Sequence, residues 1–304
     1  MDAALTDFAS ALATGPVILD GGLGTLLDAR GNDVSSDLWS ARILIEDPGE
    51  VRHAHAEFFA AGAQVATTAS YQVSYEGLAA IGRDTAETDD VLLRSVRLAA
   101  EARDDAPGGG WVAASVGPYG ATLADGSEYR GDDGLTVAKL RAWHRRRLRV
   151  LADGGPDVIA IETITRLAEI EALAAELEGL GAPAWISVTV SDGALRTGES
   201  LHEAFSIATG AEGVVAIGVN CCDASEVSGA LAVARDAGEL PTLAYPNSGE
   251  LWDAGQRTWI GTPELPSDLV RAWAAEGTAL IGGCCRIGPD EISAIARLAA
   301  GFRR

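Results

Sequence analysis

The sequence predicts an α/β protein folded as a single (β/α)8 TIM barrel. Three observations carry that prediction: eight short apolar segments of strand length, helical patterns between them, and no Pro/Ser tract or break in composition anywhere along 304 residues. Strands that alternate with helices imply parallel βαβ units. Eight such units without a linker suit one closed barrel better than two doubly wound halves. Residues 1–304 are therefore read as one domain, and a chain of this length with 47% hydrophobic residues can bury a large core.

The strands are read at residues 17–23, 65–71, 111–117, 158–163, 184–190, 214–220, 242–248 and 279–285, each a Val, Ile, Ala and Leu-rich run. Helical patterns are read at 51–61, 86–103, 137–151, 167–180, 225–236 and 267–276, with a final helix at 289–301. Barrels of this kind build their chemistry at the C-terminal ends of the strands, so the residues there are the informative ones. The first strand ends in Asp20-Gly21-Gly22-Leu23-Gly24-Thr25, the second in Thr67-Thr68-Ala69-Ser70-Tyr71-Gln72, and the third in Gly117-Pro118-Tyr119-Gly120. The fourth ends in Glu162-Thr163, the sixth in Asn220-Cys221-Cys222, the seventh in Tyr245-Pro246-Asn247-Ser248-Gly249, and the eighth in Gly282-Gly283-Cys284-Cys285. Polar and thiol groups thus collect on one rim of an apolar barrel.

Composition excludes several classes of function. A formal charge of -21 argues against a nucleic-acid or anionic-membrane partner, because phosphate binding needs a basic face. The basic run His144-Arg145-Arg146-Arg147 lies inside a helical pattern and reads as a solvated helix face. No apolar stretch is long enough to span a bilayer, and the N-terminus carries no basic and apolar export pattern. The expectation is a cytoplasmic protein, a monomer or weak homo-oligomer, with its cysteines reduced.

All four cysteines fall in two adjacent pairs, Cys221-Cys222 and Cys284-Cys285, and each pair closes an apolar, β-prone run. Thiolates are soft ligands that select zinc over hard cations, and a catalytic zinc keeps three protein ligands with one position open. Strands six and eight lie two apart in a barrel, so their ends can converge on one ion. Side chains alternate along a regular strand, which would let only one of Cys284 and Cys285 point inward; the preceding Gly282-Gly283 loosens that rule. The residues themselves select Cys284, Cys285 and one of the Cys221-Cys222 pair. The plainer alternative is four small buried apolar side chains, and a disulfide framework does not suit the compartment or the chain length.

Competing motifs are weaker. Gly22-Leu23-Gly24 lacks the third glycine of a dinucleotide loop, with Leu27 in its place, and strand two ends in threonines with no ribose-binding acid. His53 and His55 stand two apart on a predicted helix, face different ways, and read as helix surface. Asp20 and Glu162 divide between rim capping and capture of a cationic group on a substrate.

Taken together, Asp20-Gly21-Gly22-Leu23-Gly24-Thr25, Leu38-Trp39-Ser40-Ala41, Thr68-Ala69-Ser70-Tyr71-Gln72, Gly117-Pro118-Tyr119-Gly120, Glu162-Thr163, Gly218-Val219-Asn220-Cys221, Tyr245-Pro246-Asn247-Ser248-Gly249-Glu250 and Gly282-Gly283-Cys284-Cys285 closely resemble the zinc-dependent homocysteine S-methyltransferases. The resemblance runs over nearly the whole chain and implies a (β/α)8 barrel with zinc on Cys221, Cys284 and Cys285. It also implies that Asp20 and Glu162 take the homocysteine ammonium with Thr68 nearby, and that Tyr71, Gln72 and Asn247 line the pocket around the sulfur and the methyl donor. The implied reaction moves a methyl group from a sulfonium donor, S-methylmethionine or S-adenosylmethionine, to homocysteine to give methionine. The betaine-using branch resembles the chain less, since it carries an aromatic where Gln72 stands and has a C-terminal dimerisation arm. The cobalamin-dependent methionine synthases add folate and cobalamin domains for which 304 residues leave no room. A betaine- or selenocysteine-specific member, or a non-catalytic zinc or thiol redox-sensing barrel, would share the cysteines.

Overall fold

The computed structural model describes residues 7–33, 39–253, 258–261 and 265–302. Its central sheet has eight parallel strands, Val17–Ile18, Val65–Thr67, Trp111–Val116, Val158–Ile164, Ala184–Val188, Val214–Asn220, Thr242–Tyr245 and Leu280–Ile281, hereafter strands one to eight. Each strand pairs with its sequence neighbour, strand eight pairs with strand one, and a parallel bridge between Leu19 and Val65 joins one to two and completes the ring. This is the predicted barrel.

Closure follows from the period-two pattern of the strands. Val17, Leu19, Val65, Trp111, Ala113, Val158, Ala160, Trp185, Ala216 and Leu243 fill the interior, while their neighbours Ile18, Ala66, Val112, Ala114, Ile159 and Ile217 pack outward against the helices. At the N-terminal end of the strands Phe8 meets Trp111 edge-on and Trp185 at a tilt, with ring centroids 5.8 and 6.1 Å apart, and plugs the barrel floor. The opposite rim stays open to ligands.

The helical readings hold, with caps that fix their starts. Asp84 and Glu87 form a reciprocal capping box at the helix Thr85–Asp105, and Thr136 caps Val137–Asp153. Six strands are shorter at their C-terminal ends than the sequence suggests: one stops at Ile18, two at Thr67, three at Val116, five at Val188, seven at Tyr245 and eight at Ile281. For strands one and eight the reason is a crossing of rim segments. A Cβ on Gly21 would lie 2.3 Å from the Ile287 carbonyl oxygen and one on Gly22 would lie 2.6 Å from that of Cys284, so the chain leaves the sheet where two backbones meet.

Two surface readings are corrected. In the run His144-Arg145-Arg146-Arg147 only Arg145 and Arg146 face solvent; His144 and Arg147, three apart on one face, are buried. Arg147 donates to the carbonyls of Gly117, Ser70 and Tyr71, and His144 pairs with Glu169 at 2.9 Å. His55 is likewise buried, on the inner face of Pro48–Ala61 with Phe58 and Phe59, while His53 is exposed.

Candidate metal and substrate site

Cys221, Cys284 and Cys285 come together on the open rim, their sulfurs all within 4.8 Å of one another and Cys221 3.8 Å from Cys285. Cys222 points the other way, into the core between strands and helices. The alternation rule does not apply to two inward cysteines here, because strand eight ends at Ile281 and Cys284 leads into a turn that begins at Cys285. Gly282 and Gly283 serve that turn by close approach and not by unusual backbone angles: a Cβ would lie 2.5 Å from that of Leu19 in one case and 2.2 Å from the Ile287 side chain in the other.

The turn is tied on every side. Gly283 N–H donates to the Asp20 carbonyl at 3.1 Å, Cys284 N–H to the Pro246 carbonyl at 2.8 Å, and Cys285 N–H to Asn247 Oδ1 at 3.1 Å. Arg286 has φ +66° and is held by Thr25 Oγ1 on its N–H and by Glu250 on its guanidinium. Asn247 therefore braces the cysteine turn from behind and is not among the cavity-lining residues, unlike the pocket role expected of it. Hydrogen bonding from Cys221 and Cys284 holds the Cys285 thiol well below its ordinary value, whereas burial pushes Cys222 well up.

Beside the thiols lies a cavity of about 540 Å3 whose walls include Asp20, Thr68, Tyr71, Gln72, Glu162, Cys221, Cys284 and Cys285. The structure thus brings eight of the nine sequence-selected residues to one space. Asp20 accepts from Thr67 N at 2.7 Å and Thr67 Oγ1 at 2.8 Å. Glu162 accepts from Ser115 Oγ and from Tyr245 OH, the latter at 3.1 Å. Burial raises the carboxyl of Asp20 to about 8 and that of Glu162 to about 7. Two buried acids, neither of them in a salt bridge among the described residues, are poised for a positive ligand group, which would favour their charged forms. Thr68 takes part through strand three: its hydroxyl accepts from Ser115 N at 3.0 Å and meets Ser70 Oγ at 2.7 Å. Gln72 is less free than its polarity suggests, since Nε2 donates to the Ala121 carbonyl at 3.3 Å.

Several wall residues escaped sequence reasoning. Ser115 and Tyr245 orient Glu162, and Tyr245 also receives Trp185 Nε1 at 3.1 Å and contacts Ser187 Oγ at 2.6 Å. Asn220 joins strands four, five and six: Oδ1 accepts from Thr163 N at 2.7 Å and Ser187 Oγ at 2.9 Å, and Nδ2 donates to Thr163 Oγ1 at 2.8 Å. Those bonds clamp Thr163 at φ +62°, while Cys221 next to Asn220 stands at φ +50°. A β-branched residue in the left-handed region is strained, and here the strain turns Glu162 and Cys221 toward the cavity. Only the Asn-Cys adjacency hinted at this; a positive φ leaves no mark on a non-glycine residue in the sequence. Leu38, within one of the quoted motifs, lies outside the described residues.

Three converging thiols form a soft donor set that fits zinc, and three protein ligands leave a tetrahedral ion one position for a substrate atom. The site can accordingly hold a metal beside two buried acids. A family model described as homocysteine S-methyltransferase matches residues 17–299. The homocysteine S-methyltransferase of Escherichia coli strain K12 is 43% identical over 290 residues, covering 92% of this chain and 94% of its own length. Homocysteine S-methyltransferase 1 of Zea mays is 40% identical over 315 residues, covering 96% of each. Among solved structures, the metallated form of the homocysteine methyltransferase MmuM from Escherichia coli superposes with a TM-score of 0.83 at 40% identity, covering 93% of this chain and 96% of that one. Its apo form gives 0.75 at 34% identity.

Proposed function

The chain belongs to the homocysteine S-methyltransferase family, and from that premise we propose that it transfers a methyl group from a sulfonium donor, S-methylmethionine foremost, to homocysteine, using zinc on Cys221, Cys284 and Cys285. The observation that carries this reading is the convergence of three thiols from two strand ends on a cavity that also holds Asp20 and Glu162. Residues 1–304 act as one homocysteine-binding unit. Zinc, when bound, would supply a Lewis acid that keeps the acceptor thiol ionised at neutral pH.

The protein's own groups supply the positioning. Asp20 and Glu162 receive the acceptor's ammonium, which favours their charged forms over the protonated ones that burial imposes. Tyr245 and Ser115 set the direction of the Glu162 carboxylate, and Thr67 that of Asp20. Tyr71 and Gln72 shape the space in which the donor lies against the acceptor sulfur. The acceptor thiolate attacks the methyl carbon in line, the carbon–sulfur bond of the donor breaks, and its electron pair leaves on a neutral thioether. Opposite charges cancel as that happens, a change favoured where the walls exclude water. No general base is required once the thiol is ionised, in keeping with a cavity wall that includes no histidine among the described residues.

The test is methionine formation from homocysteine by zinc-loaded protein, with each donor at equal concentration. S-methylmethionine should outrun S-adenosylmethionine, whose adenosyl group competes for the same cavity, and betaine should be inert because Gln72 replaces an aromatic wall suited to quaternary ammonium. Fastest turnover with betaine would overturn the donor assignment, and full activity without metal would overturn the zinc.

A further inference from the structure

Of the carboxylates on the cavity wall that the acceptor reading leaves unused, Asp28 and Asp33 are exposed and Glu128 is buried. Glu128 lies in the short turn Ser127–Tyr129, which follows strand three, and is 8% exposed. Its Oε2 is buried without a hydrogen-bond partner among the described residues, although the side chain lines the cavity. Asp20 and Glu162 differ, since each of their four carboxylate oxygens accepts from a protein donor. Among the described residues Glu128 also makes no salt bridge, although the charge of Arg130 favours its ionised form. The Arg130 guanidinium is engaged with Asp132, Asp125 and Ser127 Oγ.

The turn is held firmly at the thiol cluster. A Cβ on Gly120 would lie 2.7 Å from the Ser127 carbonyl carbon and 2.8 Å from Glu128 N, so the turn is packed flat on the loop after strand three. Ser127 is fixed by Asp125, which accepts from its N–H at 2.9 Å and from its hydroxyl. The next residue, Tyr129, brings its hydroxyl 3.9 Å from Cys221 Sγ. One turn therefore presents a phenol to a candidate metal ligand and sets the Glu128 side chain, with one buried unpartnered oxygen, on the wall of the space beside it.

A buried carboxylate without a partner costs several times what a satisfied one does, and burial pushes the Glu128 carboxyl up accordingly. A ligand cation would remove that cost. The acceptor brings one cationic group, for which Asp20 and Glu162 already provide a pair of acids from strands one and four. The donor of a sulfonium methyl transfer brings its own positive charge to the other side of the reacting sulfur.

We propose that Glu128 is the anionic contact for the cationic methyl donor and selects donors by charge. This rests on the sulfonium-donor reading above. Because charge on the donor disappears during transfer, a carboxylate that attracts it binds the ground state at least as well as the transition state. Its loss should then appear in KM for the donor and not as a lower kcat.

The experiment compares wild type, Glu128→Gln and Glu128→Asp as zinc-loaded proteins, with steady-state kinetics for both substrates, zinc content, and calorimetric binding of S-methylmethionine. Glu128→Gln keeps the shape of the side chain and removes its charge. It should raise KM and Kd for S-methylmethionine about tenfold, leave kcat unchanged or higher, and leave zinc content and the homocysteine KM within about twofold. Glu128→Asp should fall between the two. A donor KM unchanged in Glu128→Gln, or a homocysteine KM that moves as much as the donor's, overturns the assignment. If wild type itself turns over none of S-methylmethionine, S-adenosylmethionine and betaine, the donor reading fails together with this inference; if wild type uses one and Glu128→Gln uses it equally well, this inference alone fails.

Discussion

Replacing Asn220 by Ala tests whether strained backbone is what aims the site. The substitution removes three buried hydrogen bonds at 2.7, 2.9 and 2.8 Å and leaves the Thr163 N–H, on a residue 1% exposed, without its acceptor. Two ordinary bonds contribute about 1 kcal/mol each, and an orphaned buried donor costs about 1 to 3 kcal/mol. Relaxation of Thr163 from φ +62° would recover part of this, because such conformers store about 1 to 3 kcal/mol. The net expectation is a loss of about 2 to 3 kcal/mol in unfolding free energy. Urea titration of metal-free protein gives the number without a contribution from bound metal. Relaxation at Thr163 and Cys221 should also turn Glu162 and one thiol away from the cavity, so zinc affinity and kcat/KM for homocysteine fall together. Ser187→Ala, which removes one of the three bonds together with the Ser187 contacts to Tyr245 OH and the Ile161 carbonyl, is the control matched in stability: it should cost about 2 to 3 kcal/mol at about 1 per bond, with zinc binding intact. A stable Asn220→Ala protein with normal zinc content and homocysteine kinetics would refute the idea that this clamp organises the site.

Cys221→Ser should lose bound zinc and activity whereas Cys222→Ser, altered in the core, should keep both; metal analysis showing the reverse would exchange the two assignments. Glu162→Gln should lower kcat/KM for homocysteine by about 2 to 5 kcal/mol, and 3-mercaptopropionate, which lacks the ammonium, should be equally poor with both proteins. Since burial raises Asp20 to about 8 and Glu162 to about 7, their charged forms grow as pH rises through that range, so kcat/KM for homocysteine should climb from pH 6 to 8; a flat profile would show that neither acid titrates in the free enzyme. His55 has no partner on either ring nitrogen among the described residues, and burial lowers it to about 4 from an ordinary 6.5. The unfolded chain then takes up the proton first as pH falls, and stability due to this group, intact above pH 6.5, is lost progressively toward pH 4. Between pH 7 and pH 5 wild type should lose about 2 kcal/mol more than His55→Leu in chemical denaturation, and equal losses would exclude His55 as the source.

The barrel was legible because strand and helix periods are local. Runs such as Val214 to Asn220 and caps such as Asp84 with Glu87 state their conformation within a few residues. The site residues were legible where type alone carries chemistry: two cysteine pairs at strand ends, acids at the ends of strands one and four, and an ordered set of motifs matching a known family. Buried polar residues on helices were misread for the same reason in reverse. His55, His144 and Arg147 look like surface residues by type, and nothing within their helices says that the partner of Arg147 is a trio of carbonyls from two strand ends.

By itself, then, the sequence determined that eight βα units form one barrel and that thiols and acids gather on its rim, since both follow from residue type and spacing. Tertiary structure alone decided the choice between Cys221 and Cys222 on geometric grounds, the placing of Asn247 behind the cluster, and the unpartnered oxygen of Glu128. Each of these depends on where segments far apart in the chain cross, and on left-handed backbone at Thr163 and Cys221 that only contacts across strands can hold. Direction in space is set by those contacts, and local sequence carries no record of it.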